Sequence, residues 1–287
     1  MPSRAAEAQR RILETEDLPP LPHVATELLT VIQGGNDAEQ ERLRDIVEQD
    51  PGLTARIMGW ANSAYFGTRG NVRDLDRAIF GIIGLRTVSS LVLSIVLSRV
   101  FDTRSCPAFD LTQYWHRALL TAHCSREGAR LKGQDLSPED AFLSGLLHNL
   151  GLLLLVHLFP EEMDALFQER GRMDDAELRA AETERLGLDH ARAGATLSHR
   201  WHLPEEVVTV ISHYPDKPAP RSMPLAALVG ICRKQVDRIL EGDPGGPEQT
   251  AVRPPSWLHI PPADWRALVA DLMTKKESLR TQAETLS

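Results

Sequence analysis

The residues that could do chemistry are concentrated in one short run, Gly145-Leu146-Leu147-His148-Asn149-Leu150-Gly151. An adjacent His-Asp pair on an apolar helix, joined by further histidines and a distant aspartate, forms a ligand set for a divalent cation that activates water against a phosphoester. Here the second position of the pair is an amide. Asn149 can offer a carbonyl oxygen to a metal, yet it brings no charge to offset a dication buried among leucines, so affinity at such a site falls steeply. The run keeps the shape of a hydrolytic motif and lacks its anion.

The elements that must position this run read as helices. Apolar residues recur at intervals of three and four, and no sustained alternation of period two occurs, which predicts an all-α chain. Val24, Leu28, Leu29 and Ile32 mark one face of an early helix that Gly34-Gly35-Asn36-Asp37 stops. A second helix, 38–49, ends at Asp50-Pro51, because proline biases the residue before it away from helix. Helices over 52–61, 78–84 and 85–101 follow, the last apolar on nearly all sides. A long helix over 111–131 carries His116 and His123 one heptad apart, and Ser137-Pro138-Glu139-Asp140 has the capping residue, proline and acids of a helix start. That helix carries His148. These breaks predict a two-lobed helical bundle: an N-terminal extension 1–17, one lobe at 18–104, a second at 105–240, and a linker with an amphipathic C-terminal helix at 241–287.

Composition narrows the function. With 42% hydrophobic and 25% charged residues the chain can bury a substantial core, and a formal net charge of -8 disfavours a nucleic-acid partner. Cys106, Cys124 and Cys232 form no C-x-x-C pair and read as reduced core fillers in a cytosol-like compartment. Residues 1–17 hold no apolar signal core, and the apolar run 142–159 is interrupted by His148, Asn149 and His157, so neither export nor membrane insertion is expected. No G-x-S-x-G, P-loop or dinucleotide fingerprint occurs.

Several segments in order resemble the HD-related output domain family. Asp50-Pro51-Gly52-Leu53-Thr54-Ala55-Arg56-Ile57, running on to Trp60-Ala61-Asn62-Ser63-Ala64-Tyr65-Phe66-Gly67, is similar to its signature. Leu18-Pro19-Pro20-Leu21-Pro22, Ala78-Ile79 with Gly84-Leu85-Arg86, Gly145 to Gly151, Asp189-His190 with Ala193-Gly194-Ala195, and Trp201-His202-Leu203-Pro204 resemble its other pieces. The resemblance covers about 18–240. It implies an all-helical fold derived from HD phosphohydrolases, used in bacterial signalling as an output or scaffolding module. It also implies positions for the old ligands: His116 and His148 match the histidines, Asn149 replaces the aspartate, and His190 and His213 fall where related enzymes place further histidines. Arg233 aligns with the distal aspartate, and a fixed guanidinium there repels a dication.

The expectation is therefore a non-catalytic, cytoplasmic bacterial signalling module with a vestigial pocket of His116, His148, Asn149, His190, His213 and Arg233, and with no cofactor. No metal is expected, and any that bound would use His116, His148, His190 and His213. The competing expectation is a metal-dependent phosphohydrolase or phosphodiesterase built on that residual cluster. Trp60, Asn62, Tyr65 and Phe66 are a candidate surface for a partner signalling protein, although Tyr65 and Phe66 also suit a turn stapled to the core. A cyclic dinucleotide or other small ligand is a lesser expectation, since no arginine-rich motif stands out; Arg69, Arg73 and Arg77 read as a solvated face. His123, His157, His199, His202 and His259 read as satisfied polar groups. With fewer than 20 residues before Leu18 and about 47 after Leu240, input is expected through a partner or ligand. The final helix is a further contact candidate, and it could pair with a copy of itself.

Overall fold

A computed structural model describes residues 12, 18–34, 36–67, 71–132, 135–170, 174–214, 221–242 and 251–286. The described residues form helices and no strands, as the periodicity predicts. The expected extension 1–17 lies outside the described residues apart from Ile12, which is buried.

Four α-helices and two tighter or wider turns build the first half. Helix α1 (His23–Gln33) buries Ala25, Leu28, Leu29, Val31 and Ile32. Val24, expected on that face, is 37% exposed, so the buried stripe starts one residue later than the apolar spacing suggests. Helix α2 (Asp37–Gln49) begins with a capping box between Asn36 and Glu39. Asp50 then ends α2 and caps α3 (Pro51–Ala61), accepting from the Gly52 and Leu53 amides at 2.8 and 3.1 Å. A 3-10 turn, Ala64–Phe66, follows. Segment Arg77–Ile83 is a π-helix rather than the ordinary helix expected there. It ends at Gly84, whose φ of 92° suits only glycine, and the chain turns by 113° into α4 (Leu85–Ser98). Every residue from Thr87 to Leu97 is buried, as the all-round apolar pattern predicts.

The second half is arranged around α5 (Leu111–Lys132), the long helix against which α6 (Pro138–Leu147) packs most extensively. Ser137 caps α6 with its hydroxyl accepting from the Asp140 amide, and Pro138 occupies the first turn. Helix α7 (Leu150–Leu158) continues after a break at His148-Asn149, and α8 (Pro160–Arg170), α9 (Asp175–Leu186), α10 (His190–Arg200), α11 (Glu205–His213) and α12 (Pro224–Glu241) close around it. The α7–α10 crossing depends on Gly151 and Gly194. A Cβ at Gly151 would lie 1.9 Å from the His190 carbonyl oxygen and 2.4 Å from the Gly194 nitrogen, so the two backbones approach closer than any side chain permits.

The C-terminal helix α13 (Pro262–Glu284) lies along α5 and reaches the 3-10 turn at Tyr65. It buries Trp265, Leu268, Val269, Leu272, Leu279 and Ala283, so its apolar face is already covered within the chain rather than left for a second copy. One apolar core runs from Ile12 to Leu286 across the lobe boundary expected near residue 104. The stretch Pro138–Leu158 is long and apolar enough to cross a membrane, and 94% of its apolar 18-residue window is buried inside the fold. The three cysteines are buried and free, the placement expected of core fillers.

Candidate functional site

The break between α6 and α7 exists because two apolar helices meet at two polar residues that both face inward. His148 is 1% exposed and Asn149 5%. The His148 Nδ1–H donates to the Gly145 carbonyl at 2.7 Å, one turn back, which leaves Nε2 as a bare lone pair. Burial, helped by the nearby Arg233 guanidinium, pushes the His148 pKa down to about 3, so the ring is neutral. Its Nε2 and the Asn149 Oδ1 are both buried without a hydrogen-bond partner.

His190 has the opposite character. It opens α10 directly after the capping residue Asp189, and both its backbone amide and its Nδ1–H donate to the buried Glu182 carboxylate, at 2.8 and 2.7 Å from Oε2. Its Nε2 lies 3.0 Å from the Tyr214 hydroxyl and 3.5 Å from Asp175 Oδ1. Burial opposes the imidazolium, but Glu182 and Asp175 overcome it and raise the pKa to about 10. Both ring nitrogens therefore carry protons at neutral pH, and neither offers a lone pair to a metal.

Asp175, at the start of α9, joins the remaining charges. Its carboxyl is held below the ordinary range: burial pushes it upward, and the hydrogen bond from His190 with the Arg233 and Arg179 guanidinia more than offsets that. Arg179 approaches Asp175 at 3.1 Å and Asp189 at 3.6 Å, and Arg233 approaches Asp175 at 3.7 Å. Arg233 and Arg117 both pair with Asp237. Four cationic groups, Arg117, Arg179, Arg233 and His190, thus face four carboxylates, Asp175, Glu182, Asp189 and Asp237. The cluster is neutral.

The structure brings His148, Asn149, His190 and Arg233 together and leaves two expected members out. His116 lies on the side of α5 facing the C-terminal helix, where its Nε2 bonds the Lys276 carbonyl at 2.9 Å; Arg117, next along the helix and about 100° further round, is the one that enters the cluster. His213 is half-buried at the end of α11, and the residue after it, Tyr214, supplies the group inside: its ring lies 5.1 Å edge-on from His148. Glu182, Asp175, Tyr214, Arg117, Arg179 and Asp237 were not identified from sequence. The i,i+4 spacings Asp175/Arg179 and Arg233/Asp237 were the available signal. A metal of the HD type does not fit these residues. Among the described residues no three His, Cys, Asp or Glu side chains are grouped to hold an ion, and a guanidinium occupies the cluster.

The candidate partner surface is also placed differently from the expectation. Trp60 is 1% exposed, with its Nε1–H donating to Thr285 Oγ1 at 3.1 Å, and Tyr65 is buried under α13. Tyr65 receives a hydrogen bond from Arg126 at 2.9 Å and donates to His123 Nδ1 at 2.9 Å, while His123 Nε2–H donates to Asp271 Oδ2 at 2.9 Å. Asn62 clamps its own loop, with its amide bonded to the Val72 nitrogen and oxygen and to the Met58 oxygen. Phe66 is half-buried against the core. Trp60 and Tyr65 are an internal seam because the C-terminal segment, the other expected contact surface, covers them, while Asn62 stays exposed. Of the basic trio, Arg69 lies outside the described residues.

A family model described as HDOD domain matches residues 18–216. An uncharacterized protein of Treponema pallidum (strain Nichols) is 27% identical over 274 residues, 94% of this chain and 49% of that protein, so the chain spans about half the length of this relative. A crystal structure from Marinobacter aquaeolei VT8, provisionally named a signal transduction protein, superposes with a TM-score of 0.77 at 23% identity, covering 99% of this chain and 65% of the other. An HDOD domain protein of unknown function from Geobacter sulfurreducens gives 0.72 at 20% identity, covering 99% and 98%. At these identities the two structures establish the fold.

Proposed function

The chain belongs to the HDOD domain family, and we propose that it is a non-catalytic module of bacterial signal transduction, acting in the cytoplasm by binding a partner protein or a small ligand. The observation that carries this reading is the neutral ion cluster. A hydrolytic metal site needs an excess of anionic ligands to hold its dication, and here each carboxylate is already committed to a guanidinium or an imidazolium. His190, whose nitrogens both donate, cannot ligate, and Arg233 adds a charge that no pH near neutrality removes. The name of the Marinobacter relative supports a signalling role. The test is turnover of a generic phosphodiester with added Mn²⁺, Zn²⁺ or Ni²⁺. The expected result is no chelator-sensitive hydrolysis; turnover that chelator abolishes contradicts the reading.

One observation favours the second reading, a metal-dependent phosphohydrolase. His148 Nε2 and Asn149 Oδ1 are buried lone-pair donors without partners. A metal reading requires these two atoms and rejects the ion pairs around them, so substituting His148 would abolish any turnover it supports.

A further inference from the structure

Two of the three buried cysteines face one another. Helices α5 and α12 pack side by side in opposite directions: Arg117, early on α5, pairs with Asp237, late on α12, while Gly128, late on α5, lies against Leu228, early on α12. The approach at Gly128 is close, since a Cβ there would stand 2.8 Å from Leu228 Cδ1. Cys124 precedes Gly128 by one helical turn and Cys232 follows Leu228 by one, so each shares the face of that contact and the antiparallel run brings the two together. The Cys124 thiol is hydrogen-bonded to Cys232, and both residues are fully buried. Cys106 sits ahead of α5, where its thiol bonds Asp164 instead.

That placement is more specific than filling a core requires. Burial, reinforced by Cys232, pushes the Cys124 thiol well above its ordinary pKa, so it is protonated and slow to react while the crossing is closed. A disulfide needs its Cα atoms within about 7 Å. Helices come that close where a residue without a side chain lets them, which is the part Gly128 plays one turn away. The two helices also carry the ion cluster. Helix α5 supplies Arg117, and on α12 Arg233 directly follows Cys232, with Asp237 one turn further.

We propose that Cys124 and Cys232 are a reversible redox pair, which a hydroperoxide converts into a disulfide that fastens α5 to α12 beside the ion cluster. One thiol, deprotonated when the crossing opens, attacks a peroxide oxygen; the O–O bond breaks, leaving a cysteine sulfenic acid and water. The second sulfur attacks the sulfenic sulfur, the S–S bond forms, the S–O bond breaks, and the oxygen leaves as water with the second thiol's proton. The two sulfurs together lose two electrons, and hydrogen peroxide becomes two waters. A small thiol reverses the bond by exchange, as suits a transient disulfide in a reducing compartment. Oxidation fixes the walls of the cluster against each other and reduction releases them, whether or not the cluster holds a metal.

The experiment treats the full chain, reduced and then freed of reductant, with hydrogen peroxide in chelator under native conditions, followed by alkylation in denaturant and peptide mapping by mass. The expected product forms within hours, contains a linked Cys124–Cys232 peptide lighter by two hydrogens than its parts, and keeps one alkylatable thiol, Cys106. Dithiothreitol should restore all three. The melting temperature of the linked form should rise by about 4 °C or more, because the bond closes a long loop. Cys106→Ala is expected to leave the linkage unchanged, and Cys232→Ala to abolish both linkage and rise; should the second variant not fold, the peptide map of the parent chain decides alone. Three alkylatable thiols after peroxide, linkage through Cys106, linkage only between chains, overoxidised single cysteines, or a linked form that melts no higher than the reduced one overturns the proposal.

Discussion

At the scale of single residues, two histidines about forty positions apart are driven to opposite states by what surrounds them. His190 is an imidazolium because Glu182 and Asp175 reach it inside the protein. Glu182→Gln leaves that buried charge half-compensated and is expected to cost about 3–5 kcal/mol in urea unfolding. Asp271→Asn should cost far less, because Asp271 is 42% exposed and its pair is screened by water. Stability should also depend on pH in both directions. The His190 contribution, with the folded pKa raised to about 10, is complete below about 6.5 and lost as pH rises toward 10. His148 is depressed to about 3, so its contribution is complete above about 6.5 and lost on acidification, and Asp175 acts in the same sense below its ordinary value near 3.8. Calorimetry from acid to alkaline pH should therefore show a melting temperature that peaks near neutrality, with His148→Gln flattening the limb between pH 6.5 and 4; an unaltered acid limb would refute the assignment of a neutral buried His148. His148, Asn149 and His190 are legible in local patterns, and Arg233 through the family resemblance. Sequence reading chose His116 over Arg117 and His213 over Tyr214, because one residue on a helix is a rotation of about 100° and only tertiary packing fixes which side faces in. Glu182 was invisible for a different reason: its partner lies beyond a helix end, eight residues on.

At the scale of elements, capping chemistry was legible and close approach was not. Ser137-Pro138 starts a helix as its residue types predict and Asp50-Pro51 ends one as predicted, whereas the sequence reads Asn36 only as part of a stop and the structure makes it, with Glu39, a capping box. The π-turn at Arg77–Ile83 left no signal in apolar spacing, and Val24 was placed on a buried face that Ala25 actually opens. The α7–α10 crossing makes the sharpest element-level prediction. Gly151→Ala sets a methyl against two backbones that neither rotamer change nor side-chain motion can relieve, and a loss of about 3 kcal/mol or more is expected in denaturant unfolding. A variant as stable as the parent would mean that the helices separate without cost.

At the scale of the whole molecule, the C-terminal helix α13 completes the core instead of presenting a surface. It buries six apolar or aromatic side chains, and at about 1.5–3 kcal/mol for each large one their sum rivals the 5–15 kcal/mol net stability of an ordinary domain. Truncation after residue 261 is therefore expected to abolish cooperative unfolding and to expose dye-binding apolar surface around Trp60 and Tyr65; a cooperatively folded truncation would restore those residues as a candidate docking site. The same seam explains why sequence reading saw two contact surfaces where the fold has one internal contact: each is amphipathic alone, and their pairing spans about two hundred residues. The chain as a whole carries a net charge of -8, yet its central cluster balances four cations with four carboxylates, so bulk acidity gives a dication no purchase inside. Direct measurement of that balance is metal uptake by the full chain, stripped with chelator, dialysed against Mn²⁺ or Ni²⁺ and assayed by elemental analysis. The account predicts far less than one equivalent retained and no rise in melting temperature with added metal; one tightly held equivalent, lost in His148→Ala, would contradict it.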